Sequence, residues 1–161
     1  MWVHDEDKSI KSLLSEWATR TLVALEAHYN AARYFGKLHY WIGIPAVIFA
    51  AIVGTSVFAT LKKDVDIYIK ITVASFSIIA AILSALQTFL KYNERSEKHR
   101  LIGARYADIK REIEQLLTIA EDHLNENKKE INSIRVEIKH ISEDAPSLPA
   151  RFYKAAKEKY K

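Results

Sequence analysis

Two stretches without a single charged side chain dominate this sequence. No Asp, Glu, Lys or Arg occurs from Leu38 to Leu61, 24 residues, or from Ile71 to Leu90, 20 residues. A helix needs about 20 predominantly apolar residues to cross a hydrocarbon core ~30 Å thick. A helix of that length in a soluble domain normally carries a charged face, and neither stretch has one. The expected class is therefore all-α, with two transmembrane helices; a soluble bundle with two buried helices is the alternative. Four Gly and three Pro in 161 residues leave little material for the tight turns of a sandwich or barrel, which agrees with helices throughout. The absence of Cys excludes disulfides, thiolate metal sites and Cys nucleophiles.

Lys62-Lys63-Asp64-Val65-Asp66-Ile67-Tyr68-Ile69-Lys70 is too short to be a domain, so the spans form a hairpin with both termini on one side. Cationic residues near membrane ends stay in the cytoplasm. Arg33, Lys37, Lys91, Arg95, Lys98, Arg100 and Arg105 flank the spans on the terminal side, against Lys62, Lys63 and Lys70 in the loop. Both termini are expected in the cytoplasm. His39, Tyr40 and Trp41 form an interfacial belt at the inner end of the first span, with Tyr92 at that of the second and Phe58 and Tyr68 toward the outer surface. The opening Met1-Trp2-Val3-His4-Asp5-Glu6-Asp7 is acidic where a signal peptide is basic, so no cleaved leader is expected.

Small residues recur every four positions, at Ala46, Ala50 and Gly54 in the first span and at Ser77, Ala81 and Ala85 in the second. Close backbone approach at such stripes holds membrane helices together, either within the hairpin or between subunits. Ser77, Ala81, Ser84 and Thr88 also stack along one face of the second span, with Gln87 near its inner end. Hydroxyls on such a face either line water in an oligomeric pore or bond to the carbonyl one turn earlier. Gly43 and Pro45 mark either a helix start or a hinge at the membrane surface.

Outside the spans the pattern changes to heptads. Ile10, Leu14, Trp17, Thr21, Ala24, His28, Ala32 and Phe35 give a seam for a helix over 9–37, capped by Asp7 or Ser9. Ile102, Tyr106, Ile109, Ile113, Leu116, Ala120, Leu124, Asn127, Ile131, Ile134, Ile138 and Ile141 continue it over 91–141. An extra residue between Ala120 and Asn127 is either a stutter in a continuous helix of about 75 Å or the turn of an antiparallel pair. As a stutter, Asn127 becomes a candidate switch between stalk registers. Glu and Lys of both signs opposite the seam make a solvated face. Ala145-Pro146-Ser147-Leu148-Pro149 ends the helix, leaving a basic tail within 142–161 that either touches anionic lipid or is a solvated end.

No phosphate-binding glycine loop, hydrolase triad order or paired-His metal helix is present. No two of the six His stand at helical spacing, and His28 and His39 read as packing or interface residues. Cations alternating with Glu suit salt-bridged helix faces rather than nucleic acid. No enzyme, cofactor, metal site or nucleic-acid partner is expected.

The strings Tyr34-Phe35-Gly36-Lys37-Leu38-His39-Tyr40-Trp41-Ile42-Gly43-Ile44-Pro45, Val53-Gly54-Thr55-Ser56-Val57-Phe58, Leu86 through Arg100 and Gly103-Ala104-Arg105-Tyr106 carry a resemblance. Across nearly the whole chain, the sequence resembles the SLATT family of bacteria, a two-transmembrane effector domain found beside SMODS nucleotidyltransferases and SLOG sensors. The resemblance implies an effector of antiphage conflict systems in the bacterial inner membrane. A second messenger or partner, such as a nucleotide-signal sensor or a nucleotidyltransferase-linked protein, would trigger a homo-oligomer to open pores and stop the infected cell. His39, Gly43, Gly54, Glu94, Lys98, His99, Gly103, Arg105 and Tyr106 are the motif residues it carries over. A membrane-anchored scaffold that recruits a partner without conducting ions is the rival expectation.

Overall fold

The computed structural model describes residues 9–60, 65–119 and 127–160, with only the backbone described for 57–60. Among the described residues every regular element is a helix: α1 (Ile10–Thr60), α2 (Ile67–Leu90), α3 (Tyr92–Leu117), α4 (Lys128–Asp144) and α5 (Ala150–Lys159). Asp7, Lys62, Lys63, the side chain of Phe58 and residues 120–126 lie outside the described residues.

Helix boundaries follow local chemistry. Ser9 caps α1, its hydroxyl accepting from the Ser12 N–H at 3.3 Å, and Asp66 caps α2 by accepting from the Tyr68 N–H at 2.8 Å. Such side-chain acceptors satisfy N–H groups that the first turn leaves without partners. The helix α4 stops where Ala145 turns to extended backbone (φ −67°, ψ 130°) ahead of Pro146, as steric crowding before proline requires. One helix covers what the sequence divides into a segment over 9–37 and a span over 38–61. Pro45 lies inside it, so the segment around Gly43 and Pro45 is not a helix start. Lacking an N–H, Pro45 leaves the Trp41 carbonyl without its donor, the local weakness a hinge requires.

Chain contacts divide the molecule into two units, one of residues 1–32 and 97–161 and the other of residues 33–96. The first is a helical bundle built on the expected seam. Leu14, Ile102, Tyr106, Ile109, Ile113, Leu116, Ile134 and Ile141 are buried together, with Ile10, Trp17, Ala24, Ile131 and Ile138 packed around them. Helices α3 and α4 are antiparallel. Arg105 Nη1 donates to Asp144 Oδ2 at 2.7 Å, the hydroxyls of Tyr106 and Ser142 lie 3.1 Å apart, and Ile113 and Ile134 share the core. The single 75 Å helix does not form, because folding back lets both apolar faces bury against α1 and each other. Asn127 is the N-cap of α4, which runs antiparallel to α3, so the two helices share no continuous register for it to switch.

The C-terminal segment departs from a solvated tail. Helix α5 buries Ala156 against Val23 and Ala27 of α1, and Lys159 Nζ donates to Glu26 Oε1 at 3.0 Å. Pro149 at its N-cap presets the entry dihedral (φ −58°).

The second unit is an antiparallel hairpin of residues 33–60 and α2. Phe49 and Phe76 have ring centroids 5.3 Å apart, and Phe35 stacks on Tyr92 at 6.1 Å. Both helices are long and apolar enough to cross a membrane, yet only 6% of the residues in the most apolar window of either helix are buried.

Candidate functional site

The hairpin seam forms from residues at alternating three- and four-residue steps. On α1 these are Ile42, Ala46, Phe49 and Val53; on α2 they are Val73, Phe76, Ala80, Leu83 and Gln87, each at least half-buried. Gly43 permits the closest approach, since a Cβ there would lie 2.9 Å from Gln87 Nε2. The same amide nitrogen is 3.4 Å from His39 Nδ1. Gln87 therefore belongs to the seam and not to the exposed hydroxyl stripe with which the sequence groups it. A polar pair inside an apolar hairpin satisfies two groups that hydrocarbon cannot solvate.

The remaining small residues point elsewhere. Ala46 packs inside the hairpin, whereas Ala50, Gly54, Ser77, Ala81 and Ala85 are exposed in the single chain, and nothing lies within 4 Å of a Cβ placed on Gly54. Ser84 and Thr88 are exposed on the same side of α2 as Ser77 and Ala81. Thr88 Oγ1 donates to the Ser84 carbonyl at 3.1 Å, so one hydroxyl of the stripe already bonds its own helix. Around them Trp41, Ile44, Val47, Ile78, Ile82 and Phe89 present large apolar surface, Phe89 with 83% of its area accessible.

At the end of α2 the chain does something the sequence conceals. Lys91 adopts the left-handed conformation (φ 47°, ψ 40°), the only non-glycine with positive φ among the described residues. Its N–H still donates to the Gln87 carbonyl at 3.3 Å and its carbonyl accepts from the Arg95 N–H at 3.1 Å. Helices α2 and α3 thus abut with one left-handed residue between them. The sequence predicts a helix running straight from the second span into Glu94 and Arg105; the break at Lys91 replaces it. Glu94 is exposed and pairs with Lys91 at 3.3 Å, and Lys98 is exposed.

The other motif residues converge in the bundle unit. His99, Gly103 and Tyr106 occupy one face of α3 at steps of four and three and meet α1. His99 Nδ1 lies 3.0 Å from His28 Nδ1, both rings are buried, and the Tyr106 ring sits 5.9 Å from that of His28. A Cβ on Gly103 would come within 3.1 Å of the Tyr29 ring, so glycine lets α3 reach α1. Arg105 turns to Asp144 of α4. One Nδ1 of the histidine pair donates and the other accepts, which requires the accepting ring to be neutral. Burial pushes His28 down to about 4, with the charge of His99 adding to the effect, and burial also lowers His99. Helical spacing along the sequence misses this pair because its members are 71 positions apart. The available signal was their common place on the two seams, His28 directly and His99 three residues before Ile102.

Among the described residues no group of three or more His, Cys, Asp or Glu side chains is arranged to hold a metal ion. The arrangement offers an exposed apolar surface, an exposed small-residue and hydroxyl face, and a tight junction between α1 and α3. No curated protein and no solved structure matches the chain. Residues 10–161 match the SMODS and SLOG-associating 2TM effector domain family 4, and the chain belongs to that family.

Proposed function

We propose that this protein is a homo-oligomeric effector of the bacterial inner membrane, with both termini cytoplasmic, which on receiving a signal opens a pore and arrests the cell. The observation that carries the reading is the exposure of the hairpin. Helices α1 and α2 leave Trp41, Val47, Ile78, Ile82 and Phe89 uncovered, a surface that hydrocarbon accommodates and water does not. A hairpin of two helices encloses no channel, so conduction demands several copies. The exposed face of Ser77, Ala81, Ser84 and Thr88 is the one that can meet water in such an assembly. The excess of cations flanking the spans on the terminal side supports the orientation. Membership of an effector family associated with SMODS and SLOG components supports a triggered role in a conflict system.

The test is leakage of a small ion or dye from liposomes holding a known amount of protein, with oligomer size measured in parallel. Ser84→Leu makes the stripe apolar at one level, which favours dewetting and is expected to cut leakage at least ~10-fold with assembly unchanged. Wild-type protein that assembles but never leaks, under resting or signalling conditions, would mean a non-conducting scaffold. Unchanged leakage from the variant would remove the stripe from the pore.

A further inference from the structure

The bundle unit contains a cleft of about 780 Å³, inside the ~300–1,000 Å³ range of small-molecule sites. All four of its helices contribute. Trp17 and Arg20 come from α1, Tyr106 from α3, Arg135 and Ser142 from α4, and Tyr153 and Lys157 from α5. No carboxylate is among the residues that line it.

The lining thus gathers three cations, Arg20, Arg135 and Lys157, with no acid among them. Several cations elsewhere in the unit are matched one turn away by acids, as in Arg100 with Glu97, Arg111 with Asp108 and Lys139 with Glu143. In the cleft only Arg20 has such a partner, Glu16 on its own helix. Arg135 bonds the neutral amide of Asn132, at 3.2 and 3.0 Å, and Lys157 forms no ion pair among the described residues. Two cations without acids, and a third held only by an exposed ion pair of little strength, make a site for an anion. Beside them stand an indole and an accessible phenol, Trp17 and Tyr153, whose faces bind flat aromatic rings and serve a bare anion not at all. The hydroxyls of Ser142 and Tyr106 lie 3.1 Å apart, and because Ser142 donates to the Ile138 carbonyl, they add acceptor oxygens at the cleft wall. Guanidinium groups suit phosphate because they offer paired donors in a plane.

We propose that this cleft binds a nucleotide, with phosphate held by Arg20, Arg135 and Lys157 and a base packed against Trp17 and Tyr153. The assignment deepens the reading of a triggered effector, since it names the chemistry of the trigger, and rests on that reading for its purpose though not for its geometry. Because α1, α3, α4 and α5 all contribute, a ligand here bridges every helix of the bundle. It shifts any conformational equilibrium only by its difference in affinity between states.

The experiment is calorimetric titration of the full-length protein in lipid nanodiscs. The probes are the four ribonucleoside triphosphates, their nucleosides, inorganic phosphate, and the cyclic dinucleotides of adenine and guanine, so that base count and phosphate count vary separately. At least one nucleotide is expected to bind saturably, with its nucleoside and inorganic phosphate each at least ~10-fold weaker. Replacing both Arg135→Gln and Lys157→Gln is expected to weaken binding ~10-fold or more, and Tyr153→Ala to weaken it several-fold. All three side chains are exposed, so helical content should not change; if the double variant loses it, Lys157→Gln alone is compared. No saturable binding by any nucleotide, inorganic phosphate binding as tightly as the best nucleotide, or affinity undiminished in the variants would each overturn the assignment. Calorimetry does not sense ion flux, so the two proposals fail separately. Binding without leakage keeps the site and removes the pore, and leakage without binding does the reverse.

Discussion

A buried imidazole pair is a strong constraint for two side chains to impose. His28 and His99 lie 3.0 Å apart at their Nδ1 atoms, in a place with almost no solvent. Burial disfavours a charge on either ring, so both are held neutral in the fold. The folded-state value of His28, about 4, lies below its ordinary 6.5. Between those values the unfolded chain binds the extra proton and the folded chain does not. Stability is therefore fully present above about pH 6.5 and is lost as the pH falls toward 4. Lowering the pH from about 7.5 to about 5 should cost roughly 2 kcal/mol from His28, because each tenfold rise in proton activity across that window favours the unfolded chain by ~1.4 kcal/mol. Chemical unfolding followed by helical circular dichroism at the two pH values measures it. Replacing both histidines by Leu removes the pair without leaving one ring unpartnered, and should flatten the dependence. A wild-type curve indifferent to acid would mean the pair is solvated in solution.

At the scale of elements, the junction at Lys91 is the least expected part of the chain. An L-residue in the left-handed region costs roughly 1–2 kcal/mol, and glycine there costs nothing sterically but loses more chain entropy on folding. Lys91→Gly should therefore stabilise the protein by about 0.5–1 kcal/mol, while Lys91→Val, β-branched, should destabilise it by more than that. Unfolding midpoints in one detergent compare the three proteins, and a Val variant as stable as wild type would show that the helices join without the left-handed residue. Nothing in the sequence announces the left-handed residue, because Lys91 is neither Gly nor Asn and no proline follows it. The bundle was legible for the opposite reason. There Ile109, Ile113, Ile134 and Ile141 alternate with Lys and Glu, so contrast in polarity identifies the buried face. Within the spans that contrast is missing. Small residues stand on several faces of each helix, and spacing alone does not choose Ala46 and Ala80 for the seam while leaving Ala50 and Ala85 outside it. The choice is made by partners distant in sequence, Phe49 with Phe76 and Gly43 beneath Gln87. The histidine pair was hidden in the same way, since it is decided by what the chain meets after folding back. The antiparallel pairing of α3 and α4 stood as one of two alternatives, and spacing alone did not choose it.

For the whole molecule, the question is what covers the hairpin's outer face. Lipid covers apolar side chains such as Phe89 and Ile82 at no cost, but it gives no particular reward to a stripe of Ala50, Gly54, Ala81 and Ala85, whereas a second helix does. Two glycines separate folding of the single chain from assembly. A side chain at Gly43 collides with Gln87 inside the hairpin, so Gly43→Leu should disturb each copy and lower helical content or thermal stability. A side chain at Gly54 meets nothing of its own chain within 4 Å, so Gly54→Leu should leave the isolated fold intact. If copies pack through the small-residue face, Gly54→Leu must nevertheless shift the oligomer distribution toward smaller species. Mass measurement of the protein in nanodiscs or mild detergent, with circular dichroism on the same samples, reads both effects. A Gly54→Leu protein with wild-type mass distribution would place Gly54 against lipid, and the contact between copies would then have to run through the Ser77 to Thr88 face of α2. In that case Ala81→Leu, one turn from Ser77 on that face, becomes the substitution that reduces the assembled mass while helical content stays constant.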